Sequence, residues 1–147
     1  MTTAFSSDDQ SHPLNNGHPS PFVDGGQRYS SVEQYMMAKK ASLFPGNEDV
    51  HAEILSTVEY AAIKGLGRKV RHFDPHVWSA HAERIVERAC TLKVEQNPAV
   101  MACLVTTGDA EIQQTNPDDP TWSAPGGNLL GVILMRVRSR VWSAALA

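Results

Sequence analysis

Ser30-Ser31-Val32-Glu33-Gln34-Tyr35-Met36-Met37-Ala38-Lys39-Lys40 opens on two serines, each followed three residues later by an acid or an amide: Glu33 after Ser30, Gln34 after Ser31. That spacing is the mark of a capped helix N-terminus, and Phe44-Pro45-Gly46 supplies the stop. Within the helix, Glu33 and Lys40 are seven residues apart, about two turns, so they share a face. A carboxylate and an amine facing one cavity shift each other's pKa, and burial shifts both. The plainer readings are that Glu33 serves the helix N-terminus and that Lys40 is a solvated surface lysine.

Outward from this helix the chain reads as a series of further helices. A second covers about 48–55, and a third opens at a capping box, Ser56-Thr57-Val58-Glu59, and closes at Gly65 or Gly67. Asp74-Pro75 places an N-cap before a proline at the first helical position, starting a long amphipathic helix to about Glu95. Asn97-Pro98 repeats the device for a helix ending near Gly108, and Asn128 caps a last one from Leu129 to about Trp142 with a broad apolar face. Residues 1–29 are rich in Ser, Asp, Asn, Pro, Gly and His and predict irregular chain, with a short hairpin across Phe22–Tyr29 turning at Asp24-Gly25. Between Ala110 and Pro125 the pattern predicts a short strand and then a tight polar loop. The expectation is a mainly α, multihelical single domain over residues 1–147 with a minor hairpin or strand, residues 1–12 and 141–147 being peripheral.

Composition narrows the function classes. The 147 residues are 41% hydrophobic, enough for one domain with its own core. A net charge of -3 argues against nucleic-acid binding driven by overall charge, because that affinity rests on clustered Lys and Arg. Cys90 and Cys103 form no CxxC motif and read as buried thiols. The N-terminus lacks a basic flank and an apolar run, and no stretch approaches the roughly 18 residues that span a bilayer. The expectation is a soluble, reduced, cytoplasmic protein with no membrane partner.

The other candidate chemistry lies in loops and helix ends. Asp118 and Asp119 sit in a proline-flanked loop just before Trp122. An Asx turn is the ordinary use of such an aspartate; the alternative is a general acid or base, with Trp122 stacking on a heterocycle. Trp78, on the first turn of a helix, has the same two readings, core or ligand platform. Lys64, Arg68, Lys69, Arg71 and His72 surround Gly65-Leu66-Gly67. They suit a phosphate or diphosphate, and equally a solvated helix C-terminus. GxxxxGK[ST] and GxGxxG are absent from the sequence, and the six histidines have no metal-ligand spacing, so no metal site is expected.

The order of segments resembles the NADAR family, also called YbiA-like. The residues that carry the resemblance are Leu14-Asn15-Asn16-Gly17-His18-Pro19-Ser20-Pro21-Phe22, Ser31-Val32-Glu33-Gln34-Tyr35 with Lys40, Leu66-Gly67-Arg68, Trp78, and Lys93-Val94-Glu95-Gln96-Asn97-Pro98. It continues through Leu104-Val105-Thr106-Thr107-Gly108, Asp119-Pro120-Thr121-Trp122, and Gly126-Gly127-Asn128 with the apolar run to Arg138, spanning roughly residues 5 to 140. The resemblance implies a mainly helical YbiA-like fold and cofactor-independent hydrolysis of an N-glycosidic bond. Its substrates would be ribosylamino-pyrimidine phosphates of the riboflavin pathway or ADP-ribose attached to guanine, the latter in free form or on nucleic acid. It also implies Glu33, Lys40 and Asp119 as catalytic residues and Asn16, Arg68, Trp78, Trp122 and Asn128 as substrate-binding ones.

The chain departs from the family pattern in several places. Gly17 replaces an aromatic, Met37 a frequent Gln, Gln114 a usual Glu, and Ser123 a Gly, and the segment to Asn128 is short. These departures make a non-catalytic ADP-ribose or nucleotide-binding module the alternative; a helical interaction domain without a small ligand is the third reading. Cleavage of a C1'–N bond needs a stabilised oxocarbenium-like carbon, a protonated leaving group and a nucleophile. A carboxyl of raised pKa can supply the proton, and an unprotonated lysine can trap the sugar as a Schiff base; Lys40 and Glu33 are the expected pair.

Overall fold

The computed structural model describes residues 1–146. Its elements in order are β1 (Thr2–Ser6), β2 (Phe22–Asp24), β3 (Gln27–Tyr29), α1 (Val32–Leu43), α2 (Glu48–Leu55), α3 (Tyr60–Gly67), α4 (Pro75–Gln96), α5 (Pro98–Thr106), β4 (Glu111–Thr115) and α6 (Leu129–Leu146). The mainly helical expectation holds, and the arrangement is built around α1, which packs against α2, α3 and α4. Helix α4 in turn carries α5 and α6, and α6 covers β4.

Local chemistry explains the boundaries. Ser31 caps α1 by accepting the Gln34 N–H at 3.2 Å, and Asp74 caps α4 by accepting the His76 N–H at 2.9 Å, with Pro75 at the first helical position. Helix α3 starts later than the capping box predicted. The Ser56 and Thr57 hydroxyls turn back to the Glu53 carbonyl at the end of α2, and Glu59 itself becomes the N-cap, its carboxylate accepting the Ala61 and Ala62 N–H groups. Asn97 precedes α5 as expected, but its side chain does not cap it; Nδ2 donates to the carbonyls of Pro21 and Lys93.

The hairpin forms with Asp24 paired to Gln27. Gly25 and Gly26 both have positive φ, 57° and 83°, as a two-residue turn matching strand twist requires. Phe22, Tyr29 and Tyr35 cluster beneath it with ring centroids 4.8 to 5.8 Å apart. Asp24 accepts the Tyr35 hydroxyl at 2.7 Å and the Arg88 guanidinium through both oxygens, so one carboxylate ties the hairpin to α1 and α4.

The N-terminal segment is where the sequence reading falls short. Thr2–Ser6 is a strand, paired in parallel with β4 from Thr2 opposite Glu111 to Ser6 opposite Thr115, and Phe5 is buried in the core. Such a pair needs a partner more than a hundred residues away, which no local pattern announces. Gly131 permits the tight seat of α6 on this sheet: a Cβ there would lie 2.0 Å from the Ile112 carbonyl oxygen.

Candidate active site

A cavity of about 300 Å³ lies where α1, α3, the segment before β2 and the loop after β4 meet. Glu33, Lys40 and Met37 enter from α1, Tyr60, Lys64 and Arg68 from α3 and its end, Asn16 and Asp8 from the N-terminal loop, and Gln114, Asp119 and Trp122 from β4 and beyond. Gly67 lets α3 approach α1 closely, since a Cβ at that position would meet the Met37 side chain.

Glu33 is the most unusual group on the wall. It is only 5% exposed, and its carboxyl has no hydrogen bond or ion pair among the described residues. The helix does not use it. The capping exchange belongs to Ser31 and Gln34, whose Oε1 accepts the Ser30 N–H at 2.6 Å while its Nε2 donates to the carbonyls of Ile54 and Thr57 at 3.0 and 2.8 Å. Burial pushes the Glu33 carboxyl up to about 7, against the pull of the Lys64 and Lys40 charges. Lys40, partly buried, is displaced the other way: desolvation lowers its pKa, Glu33 opposes this, and Arg68 adds to it. Its ammonium sits 4.6 Å from the centroid of the Phe73 ring.

Asp119 is committed to the loop. One oxygen accepts the N–H groups of Thr121 and Trp122 at 3.1 and 2.9 Å, an Asx turn that presents Trp122 to the cavity. The second oxygen accepts from the Ser123 hydroxyl at 3.4 Å. Asn16 lines the cavity with a buried Oδ1 that has no partner among the described residues. The basic turn is divided by the fold. Lys64 and Arg68 reach the cavity with no carboxylate within ion-pair distance among the described residues, whereas Arg71 turns away to the Gly46 carbonyl and Asp49.

Two of the expected binding residues stand elsewhere. Trp78 packs on the core at the start of α4 and does not line the cavity. Asn128 lies behind it, clamped to β4: its Nδ2 donates to the Ile112 carbonyl at 2.8 Å, and its Oδ1 accepts the Gln114 N–H at 3.1 Å. It has positive φ, 51°, a conformation asparagine tolerates. Both are scaffold in this geometry.

Sequence reasoning passed over Ser7, Asp8 and Tyr60, which line the cavity, and Lys93, which does not but supports it. Lys93, 1% exposed, donates from Nζ to the Asn15 carbonyl at 2.9 Å, and burial brings its pKa down to about 8. Asn15 holds the same loop from its side chain, donating to the Ser6 and Ser7 carbonyls and accepting the Gly17 N–H at 2.7 Å. A lysine inside an amphipathic helix gives no sequence sign of whether it faces water or core. Of the two expected thiols, Cys90 is buried and Cys103 only partly so.

A larger groove of about 980 Å³ runs between α4 and α6, where Arg136 pairs with Glu83 and Glu87 at 2.6 and 3.0 Å and Arg140 with Glu87 at 3.1 Å, all on exposed or half-exposed side chains. The smaller cavity is the one that holds a buried carboxyl with no ion pair among the described residues. Among the described residues no helix is long and apolar enough to cross a membrane, and no group of three or more potential ligands could hold a metal ion.

Fold and cavity define a helical domain with a polar site lined by both a buried carboxyl and a partly buried lysine. The particular family follows from comparison with known proteins: the model of the NADAR domain matches residues 3–142, and the chain belongs to that family. It is 39% identical over 125 residues to an N-glycosidase of Acanthamoeba polyphaga mimivirus, covering 75% of this chain and 73% of that protein. It is 27% identical over 144 residues to a riboflavin biosynthesis protein of Vibrio vulnificus, of which it spans 38%. The NMR structure of the E. coli protein YbiA has the same fold, with a TM-score of 0.84 over 99% of this chain and 88% of that one at 24% identity.

Proposed function

We propose that the protein hydrolyses the N-glycosidic bond of a phosphorylated ribosyl or ADP-ribosyl N-glycoside, ADP-ribosylated guanine or a riboflavin-pathway ribosylamino-pyrimidine phosphate. Hydrolysis of N-glycosyl compounds is the reaction class supported by the family and by the viral N-glycosidase. The observation that carries the mechanism is Glu33: a buried carboxyl with no hydrogen bond or ion pair among the described residues, open to the cavity that Lys40 also lines, its pKa pushed up by burial.

In this reading Glu33 gives its proton to the leaving nitrogen as the C1'–N bond breaks, and the electron pair of that bond goes to the base. The lowered pKa of Lys40 raises its amine fraction. The amine adds to C1' and loses a proton to the ionised Glu33. Glu33 returns that proton to the ring oxygen as the C1'–O4' bond breaks and the nitrogen lone pair forms the Schiff base, and water then adds to it to release the sugar and regenerate the amine. Lys64 and Arg68, with no anionic partner, receive the phosphate or diphosphate, and Trp122 offers a face to the base.

The test is mass-spectrometric detection of released sugar from ADP-ribosylated guanosine and from the ribosylamine phosphates. Release by the natural chain, lost in Glu33→Gln, is the expected result. Binding of either compound without release by the natural chain would refute catalysis and leave a binding module.

A further inference from the structure

Gln114 meets the cavity in a single orientation. The residue is 7% exposed, its backbone N–H is bound by Asn128 Oδ1 at 3.1 Å, and its carbonyl accepts the Ala124 N–H at 2.7 Å. Its side-chain Nε2 donates to Ser123 Oγ at 2.8 Å. Ser123 is fully buried and does not line the cavity. Its hydroxyl also lies 3.4 Å from Asp119 Oδ2, a long contact in which the carboxylate can only accept. The hydroxyl oxygen accepts from the amide. Asp119 cannot turn, because the Thr121 and Trp122 N–H groups hold its other oxygen. The chain of contacts runs from the Gln114 amide nitrogen to Ser123 Oγ at 2.8 Å and on to Asp119 Oδ2 at 3.4 Å. Gln114 Oε1 is the one polar side-chain atom of the three residues left without a partner among the described residues, and Gln114 lines the cavity beside Trp122.

We infer that Gln114 is a specificity-determining residue, a fixed and uncharged hydrogen-bond acceptor that selects N-glycosides whose leaving base presents an N–H edge, with Ser123 and Asp119 as its positioning residues. This rests on the N-glycosidase reading of the cavity. A site whose wall holds an unpaired acceptor disfavours a base lacking the donor, because the acceptor is then covered and left unpaired. An amide does not titrate, so the preference is constant with pH. A glutamate in the same place would accept more strongly when ionised and become a donor when protonated.

The test compares ADP-ribosylated guanosine with its N1-methyl analogue, by kcat/KM and by calorimetric affinity, in the natural chain, Gln114→Met, Gln114→Glu and Ser123→Ala, with free ADP-ribose as a probe that lacks the base. The natural chain should prefer the unmethylated compound by about tenfold or more, equally at pH 6 and pH 8. Gln114→Met should lose that preference, Ser123→Ala should reduce it by freeing the amide, and affinity for ADP-ribose should stay within about twofold. Gln114→Glu, which keeps the side chain's shape, should fold and make the preference pH-dependent. A natural chain without the preference, or a Gln114→Met variant that retains it, overturns the inference. If neither compound is hydrolysed, the proposed function fails, and the calorimetric preference and its loss in Gln114→Met decide the role of Gln114 by themselves.

Discussion

Glu33→Gln should cost activity and confer stability, with the stability gain set by pH. The Glu33 carboxyl has its pKa at about 7 in the folded protein against an ordinary 4.5. Below pH 4.5 it is protonated in both states. As pH rises towards 7, the unfolded chain releases the proton while the native state retains it, so stability falls, and above 7 the loss is complete. At about 1.4 kcal/mol per pKa unit the full interval is worth about 3 kcal/mol, and the part between pH 5 and pH 8 about 2–3 kcal/mol. Glutamine has the same shape and no proton to exchange, so the variant escapes this term. All other titrating groups are common to both proteins and largely cancel in the comparison.

The assay is urea unfolding of both proteins at pH 5 and pH 8. Stability of the variant minus that of the natural chain should be about 2–3 kcal/mol larger at pH 8, equivalent to about 5–10 °C in Tm for a domain of this size. Turnover should fall by about 10²-fold or more at both pH values. A difference that is the same at pH 5 and pH 8 to within about 0.5 kcal/mol would refute the reasoning, because the carboxyl would then titrate alike in the folded and unfolded chain.

Lys40→Arg keeps the charge but cannot form a Schiff base, so turnover should drop by about 10²-fold or more; near-normal turnover excludes the amine route. Asn128→Ala removes two buried hydrogen bonds and places a Cβ-bearing residue without asparagine's tolerance at positive φ, for an expected loss of about 2–4 kcal/mol by urea unfolding, with Asn128→Gly milder. Gly131→Ala drives a methyl against the Ile112 carbonyl and should cost about 1–3 kcal/mol. Lys93→Met removes a buried charge together with its tether on Asn15; Tm should change by less than about 4 °C, while KM rises through a looser Asn15–Asn16 wall, and an unchanged KM would deny the tether a role.

How far the site could be read from sequence depended on whether its groups sit on one element. Glu33 and Lys40 share a helix, and helical periodicity alone puts them on one face. The loop residues were legible only as alternatives. Asp119 makes the Asx turn through one oxygen and also lines the cavity, its other oxygen lying 3.4 Å from the Ser123 hydroxyl. Trp78 and Asn128 were misplaced for a different reason: their spacing locates them on helix starts but does not reveal which side of the core those starts face. The β1–β4 pair was invisible because Thr2–Ser6 has no alternating pattern of its own and gains its order from Glu111–Thr115. The Gln114 and Ser123 departures stand nine positions apart in sequence as unrelated changes, yet in the fold they are hydrogen-bonded to one another.

The freedom of Glu33 is itself a product of its neighbour. A helix N-terminus leaves N–H groups that need acceptors, and an acid one position away would ordinarily be drawn to them. Here Gln34 reaches back to Ser30 while its amide nitrogen holds the turn between α2 and α3. A carboxylate at 34 could accept from Ser30 but could not donate to Ile54 or Thr57, so the amide is required for both tasks at once. With Ser31 capping and Gln34 bridging, no structural duty remains for the carboxyl at 33. It is buried beside a cavity by the packing of α1 against α3, and the groups that can meet it there are the cavity's own lysines, Lys40 and Lys64, and those a ligand brings.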